Sequence, residues 1–152
     1  MRAVVQRVGP ASVKVGKQIT GSIKRGLLVF LGIEGIDENE DSHWIIKKIT
    51  QLRIFPDKQG VMNLSLLDLE TPEILLISQF TLFGNVKKGS RPSFNRAANP
   101  EYAIPLYESF CQELEDVLKK PIARGVFGAD MLIEAIHDGP VTIILDSKNK
   151  GL

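Results

Sequence analysis

Cysteine, histidine and long apolar runs are scarce in this sequence of 152 residues. The single cysteine, Cys111, excludes a disulfide within the chain and favours a reducing compartment. The two histidines are too few for most histidine-based metal sites, and we expect no metal and no other cofactor. No apolar run approaches the ~20 residues that a membrane helix requires, and the opening residues do not resemble a secretory signal. These absences favour a globular cytoplasmic protein without a membrane partner.

Several familiar catalytic signatures are also missing. The sequence contains no G-x-S-x-G elbow, no phosphate-binding P-loop and no H-E-x-x-H zinc motif. Cys111 lies among Phe110, Leu114 and Val117 at helical spacing, which predicts a buried thiol and not a nucleophile. His43 is expected to be a surface residue of an acidic helix.

Charge is unevenly distributed although the net charge is only +1. Acidic residues cluster in 34–41, whereas 84–98 carries four cations, Lys87, Lys88, Arg91 and Arg96, with Phe94 among them. The small net charge argues against a general nucleic-acid coat protein. A local basic loop can nevertheless bind a few phosphates, and an aromatic ring can stack on an unpaired base. A merely solvated charged loop is the alternative.

The order of apolar patterns predicts the elements of one domain spanning 1–152. We expect helices over 37–52 and from Asn99-Pro100 onward, the second with Pro105 as a misfit unless its first turn bends or the helix begins later. Strands are expected at 2–8, 11–15, 18–23, 27–31, 53–55, 74–82, 122–127, 131–137 and 141–145, with a turn at 138–140 and a long loop at 84–98. This order indicates an α/β fold, bordering on α+β, in which helices pack on two β-sheets.

Polar residues follow directly on the buried strand that is predicted to begin at Ile74. Ser78-Gln79-Phe80-Thr81 places hydroxyl and amide groups where a strand opens into a loop, which is a common place for ligands in α/β proteins. Simple termination of the strand is the alternative. No base lies nearby in sequence, so the pattern does not support a hydroxyl nucleophile.

Gly139-Pro140 falls between two predicted strands. Taken alone it predicts an ordinary hairpin turn. Only ~5–6% of X-Pro bonds in folded proteins are cis, so a trans bond is expected from frequency.

Taken together, these segments resemble one family along the whole chain. The sequence begins MRAVVQRV, continues with SQFTL, KKG and RPSF at 78–94, and ends with GVFGADM at 125–131 and DGPVT at 138–142. This combination is similar to the D-aminoacyl-tRNA deacylases of bacterial type. The resemblance implies a cytoplasmic homodimer that hydrolyses the ester of D-aminoacyl-tRNA and proofreads chirality in translation. It further implies removal of glycine mischarged on the tRNA for alanine.

The resemblance also implies roles for particular residues. The active site is expected at the dimer interface, where it binds the aminoacylated terminal adenosine. The Gly139-Pro140 bond is expected to be cis, against the frequency argument, and to enter the partner's site, where its carbonyls hold the substrate amino group and exclude an L side chain. The backbone N–H groups of Phe80 and Thr81 are expected to stabilise the oxyanion. The remaining expected site residues are Ser78 and Gln79 shaping the pocket, Met131 lining the adenosine site, Arg7 bracing Gly139-Pro140, and Lys87, Lys88, Arg91 and Phe94 binding tRNA.

One departure and two rival functions stand beside this interpretation. His137 occupies a position where many family members have Asn, which puts the hydrogen bonding of the neighbouring turn in doubt.

The first rival function is an RNA-binding module without catalysis, and a turnover assay would discriminate it. The second is an esterase with Thr81 as nucleophile, for which a trapped acyl-enzyme would be the evidence. In the favoured mechanism water attacks the ester, with help from the 2′-hydroxyl of the RNA.

Overall fold

A nearly closed β-sheet with two helices on its outer face forms the structure, a computed structural model that describes residues 1–151. The elements are β1 (Arg2–Val15), β2 (Gln18–Ile23), β3 (Gly26–Gly32), α1 (Asn39–Gln51), β4 (Phe55–Pro56), β5 (Met62–Leu64), β6 (Ile74–Ser78), α2 (Pro100–Leu118), β7 (Ala123–Arg124) and β8 (Leu132–Asp146). Short 3-10 helices span Leu66–Asp68 and Phe80–Phe83. This arrangement confirms the predicted α/β class.

The order of strands in the main sheet is β2-β1-β3-β6-β7, in which β3 pairs with residues 2–8 of β1 and β2 with residues 11–15. β8 pairs with β1 over residues 2–14. β3, β6 and β7 are parallel to one another, whereas β2, β3 and β8 are antiparallel to β1. A Cβ atom on Gly21 of β2 would lie 2.8 Å from the Arg124 carbonyl oxygen of β7, so the two ends of this sheet approach closely. The second sheet is the small β4-β5 ribbon.

Alternation along the strands divides the core in two. Successive strand residues point to opposite faces, so Leu27 and Val29 join the core beneath the helices while Leu28 joins the core enclosed by the curved sheet. Both faces of β3 are therefore covered, as its continuous apolar sequence predicts. The helices contribute Ile45, Ile49, Tyr107, Phe110 and Leu114 to the outer core.

Capping residues determine where both helices begin. Glu38 and Asp41 form a capping box at the start of α1. Asn99 accepts a 3.0 Å hydrogen bond from the Tyr102 N–H, and Pro100 occupies the first helical position of α2. Pro105 lies inside this helix, which thus begins where the sequence predicts despite the proline.

Several predicted strand boundaries were wrong. Residues 2–8 and 11–15 form one strand, because β8 pairs with both segments. The strand predicted to run from 74 to 82 ends at Ser78, and a 3-10 helix replaces its last residues. Residues 131–145 contain no hairpin turn, since β8 runs through them as one strand with an interruption in its pairing.

Candidate active site

A cavity of about 620 Å³ opens at the carboxyl ends of the parallel strands β3 and β6. Ser78, Gln79 and Phe80 line it at the end of β6, and Met131 lines it just before β8. Its other walls are mostly apolar and include Leu31, Ile33, Ala98, Ala103 and Phe127. Cavities of this size, apolar with a few polar groups, are typical binding sites for small molecules.

Two backbone N–H groups without acceptors lie at the edge of this cavity. The N–H groups at the start of a helix have no partner within the helix. Within residues 1–151, the N–H groups of Phe80 and Thr81 also find none in the rest of the chain. Phe80 and Thr81 are both exposed residues, and Phe80 lines the cavity. Adjacent donors of this kind can receive a developing negative charge on oxygen.

The polar side chains of the same segment bond to one another. The Gln79 side-chain amide donates a hydrogen bond to the Thr81 hydroxyl. Within residues 1–151, no carboxylate or imidazole is hydrogen-bonded to the hydroxyl of Ser78 or Thr81. His43 bonds to Glu113 on the helical face, and His137 is exposed on β8. The structure thus brings no acid–base partner to either hydroxyl.

The basic loop 84–98 closes one side of the cavity. Phe94 lines the cavity and packs edge-on against Phe80, with ring centroids 5.1 Å apart. Lys87, Lys88 and Arg91 are exposed and have no carboxylate partner within residues 1–151. Arg96 differs from them because its Nε lies 2.5 Å from Oε1 of buried Glu34, which ties the end of the loop to the protein.

Gly139-Pro140 and Arg7 form a second group of predicted site residues, outside the lining of the cavity. On β1, Arg7 is the single residue between the pairs Gln6–Thr142 and Val8–His137, so residues 138–141 of β8 bulge out opposite it. The bulge contains a cis Gly139-Pro140 bond, which differs from the frequency-based expectation of a trans bond.

Arg7 is the residue that holds this bulge. Its Nε donates to the Asp138 carbonyl at 3.1 Å, its Nη2 lies 3.3 Å from the Asp138 carboxylate, and its Nη1 donates to the Ile54 carbonyl at 2.6 Å. Gly139 has φ +130°, and a Cβ there would lie 2.8 Å from the Val141 side chain. The backbone of the bulge therefore requires glycine at this position.

Two further residues are Cys111, which the sequence predicts to be buried, and Phe127, which the sequence does not predict as a site residue. Cys111 is 2% exposed, and burial raises the pKa of its thiol, which confirms the prediction of a buried thiol. Phe127 was not among the predicted site residues, although it lines the cavity and packs on Tyr107 at 5.5 Å. Its place within the segment GVFGADM, which carries part of the family resemblance, was the available signal.

Known proteins resemble this chain over almost its full length. Residues 4–146 match the model of the D-Tyr-tRNA(Tyr) deacylase family. D-aminoacyl-tRNA deacylases of Bacteroides thetaiotaomicron and Flavobacterium psychrophilum are 55% and 53% identical to it over 150 residues, which cover 99% of each chain. The chain belongs to the D-Tyr-tRNA(Tyr) deacylase family. It is a hydrolase, as the sequence predicts.

Two solved structures share its fold. The c-Myc DNA Unwinding Element Binding Protein superimposes with a TM-score of 0.89 at 42% identity, over 96% of this chain and 98% of that one. A probable eukaryotic D-amino acid tRNA deacylase superimposes with a TM-score of 0.82 at 17% identity, over 95% and 97% of the two chains. The second likeness supports the fold alone. Among residues 1–151, no helix has the length and apolar character needed to span a membrane.

Proposed function

We propose that the cavity binds the aminoacylated terminal adenosine of tRNA and that the D-aminoacyl ester is hydrolysed at its edge. The observation that carries this proposal is the pair of free N–H groups, on Phe80 and Thr81, beside an apolar cavity. The apolar walls suit the flat faces of a nucleobase, with Met131 and Phe127 as the residues against which it packs.

Water attacks the ester carbonyl, and the two N–H groups stabilise the oxyanion that forms. Ser78 and Gln79 shape the pocket, and Gln79 fixes the orientation of the Thr81 side chain through their hydrogen bond. Because no acid or base of residues 1–151 is hydrogen-bonded to the Ser78 or Thr81 hydroxyl, the 2′-hydroxyl of the terminal ribose helps to activate the water. A backbone N–H that stabilises an oxyanion typically contributes a factor of about 10²–10³ to the rate.

The bulge at Gly139-Pro140 selects the chirality of the substrate from the partner subunit of a homodimer. Its carbonyls hold the amino group of the substrate, and its backbone occupies the space that an L side chain would need. Arg7 keeps the bulge in place through its bonds to Asp138. Glycine has no side chain to exclude, so glycine on the tRNA for alanine is a substrate as well.

Support for the homodimer comes from the free edge and the exposed apolar residues of β8. β8 pairs only with β1 within residues 1–151, so its other edge is free. Leu132, Ile136 and Ile144 are 69%, 65% and 52% exposed on this strand. A long free edge that carries exposed apolar side chains favours association with another chain.

The rest of the tRNA contacts the basic loop through Lys87, Lys88 and Arg91, whose charges are free to approach phosphates. Phe94 contributes at the junction between loop and cavity. Since aminoacylated tRNA is the substrate, we place the protein in the cytoplasm.

The experiment that tests this function is deacylation of three substrates by the purified protein. We expect D-tyrosyl-tRNA and glycyl-tRNA to be hydrolysed much faster than L-tyrosyl-tRNA, because only the L side chain meets the Gly139-Pro140 bulge. Equal rates on the two enantiomers would contradict chiral exclusion. Binding of all three without turnover would instead support the RNA-binding alternative.

A further inference from the structure

The 3-10 helix Phe80–Phe83 is too short to hold its own position. Its flanking bonds are Leu82 N–H to the Gln79 carbonyl at 3.4 Å and Gly84 N–H to the Thr81 carbonyl at 2.9 Å. A single turn has little stability by itself. Contacts with the surrounding chain must therefore determine where the N–H groups of Phe80 and Thr81 point.

The underside of this helix rests closely on β3. A Cβ atom on Gly32 would lie 3.0 Å from the Gln79 carbonyl oxygen and 3.1 Å from the Leu82 side chain, so the helix uses the space that the glycine leaves. Phe83 is 2% exposed and anchors the end of the helix in the protein. These contacts determine the distance of the helix from the sheet, but an apolar contact is not directional.

Arg2 supplies directional contacts to the end of the same helix. Its Nη1 donates to the Leu82 carbonyl at 2.9 Å, and its guanidinium carbon lies 4.9 Å from the centroid of the Phe83 ring. Its Nε donates to Asp146 at 2.7 Å, which holds the guanidinium in place. The last carbonyls of a helix have no partner within it, so a cation that donates to one of them stabilises its orientation.

We propose that Arg2 is a positioning residue for the hydrolysis, acting through the 3-10 helix on the N–H groups of Phe80 and Thr81. This inference rests on the proposed function, in which those groups receive the oxyanion. Arg2 is suited to the task because the planar guanidinium donates in two directions and stacks on an aromatic ring at the same time. Lysine retains the charge but cannot make the three contacts together.

The test compares Arg2→Gln and Arg2→Lys with Lys17→Gln, in steady-state and single-turnover deacylation of D-tyrosyl-tRNA. Lys17 is the control because it is an exposed cation in the turn that follows the same strand, at the opposite end from Arg2 and outside both the 3-10 helix and β8. We expect Arg2→Gln to lower kcat and the single-turnover rate by roughly 10- to 100-fold, since a displacement of ~1 Å at a reacting group costs about that much. KM should change by less than about twofold, because the residues proposed to bind tRNA are untouched.

We further expect partial recovery of the rate in Arg2→Lys and a parental rate in Lys17→Gln. Thermal unfolding of each variant is measured alongside, and Arg2→Lys decides the question if Arg2→Gln does not fold. A rise in KM with kcat unchanged would overturn the inference, because it would indicate a binding role. A parental kcat in the Arg2 variants would overturn it as well.

A second pair of variants distinguishes failure of this inference from failure of the proposed function. Phe80→Pro removes one N–H group at a position where proline is tolerated in a helix, whereas Phe80→Ala removes only the ring. Equal rates in these two variants would contradict the oxyanion site itself. A much slower proline variant, together with a parental rate in Arg2→Gln, would leave the function standing and overturn only the role of Arg2.

Discussion

The Thr81 hydroxyl accepts a hydrogen bond from Gln79, and within residues 1–151 no histidine or carboxylate is bonded to it. A threonine nucleophile would require a base to take its proton. The backbone N–H of the same residue, by contrast, has no acceptor among residues 1–151. The residue is thus better suited to contribute its backbone than its side chain.

We therefore expect Thr81→Ala to retain substantial deacylation activity, within roughly tenfold of the parent, because one lost hydrogen bond is worth only about 1 kcal/mol. Thr81→Val, which preserves the shape, should lie closer to the parent. The measurement is single-turnover hydrolysis of D-tyrosyl-tRNA. Loss of all activity in a folded Thr81→Ala variant, with an acyl-enzyme trapped in the parent, would favour the nucleophile.

Arg7 and His137 show how two residues beside the same bulge differ in role. Arg7, opposite the bulge on β1, is 8% exposed and makes hydrogen bonds to Asp138 and Ile54. His137, which precedes the bulge on β8, is exposed, and within residues 1–151 its side chain has no hydrogen-bond partner. Arg7 and the carboxylate of Asp138 therefore supply hydrogen bonding to this bulge, and the departure from Asn at 137 leaves those bonds unaffected.

At the scale of elements, the loop 84–98 has an anchored end and an exposed tip. Its final part is tied to the protein by the Arg96–Glu34 ion pair and by Phe94 against the cavity. Its tip carries exposed lysines. A loop of this length with an anchored end can present its charges to a ligand without unfolding the cavity wall.

Replacing Lys87 and Lys88 by Ala should weaken tRNA binding and reduce its dependence on salt. Each phosphate contact that is lost removes roughly 0.9 units from the slope of log K against log salt, so the pair should remove up to about 2 units. Binding at a series of salt concentrations measures this slope. Lys47→Ala with Lys48→Ala, an exposed adjacent pair on α1, is the control. An identical slope in the parent and the loop variant would mean that the loop is only solvated surface.

At the scale of the whole molecule, the proposed chiral selection depends on a second copy of the chain. The bulge lies outside the lining of its own subunit's cavity. β8, which flanks the bulge on both sides, exposes Leu132, Ile136 and Ile144. An assembly through this strand would bury apolar surface that a single subunit leaves in water.

Ile136→Glu should accordingly convert the protein to a monomer and abolish most of its D-tyrosyl-tRNA hydrolysis, because a charge would be buried in the interface and the partner's bulge would be lost. Sedimentation velocity gives the oligomeric state, and the same samples are assayed for activity. Ile19→Glu is the matched control, since Ile19 is a 55% exposed isoleucine on β2. A fully active monomer would contradict the shared site.

Local sequence patterns determined a large part of this protein. The cap at Asn99-Pro100, the apolar stripes of α1 and α2, and the doubly buried β3 follow from the spacing of residues along the chain. The same holds for the length of the loop 84–98. Short-range physical rules act on each of these segments separately, so they are visible without a structure.

Only the tertiary structure decided how distant segments meet. Pairing with β8 joins 2–8 and 11–15 into one strand and sets Arg7 alone against residues 138–141, so that a predicted hairpin turn is a bulge instead. Packing on Gly32 and the bonds of Arg2 turn the residues after Ser78 into a 3-10 helix with two free N–H groups. Pairing register and the space beside a glycine depend on atoms far apart in the sequence, and no local pattern contains them.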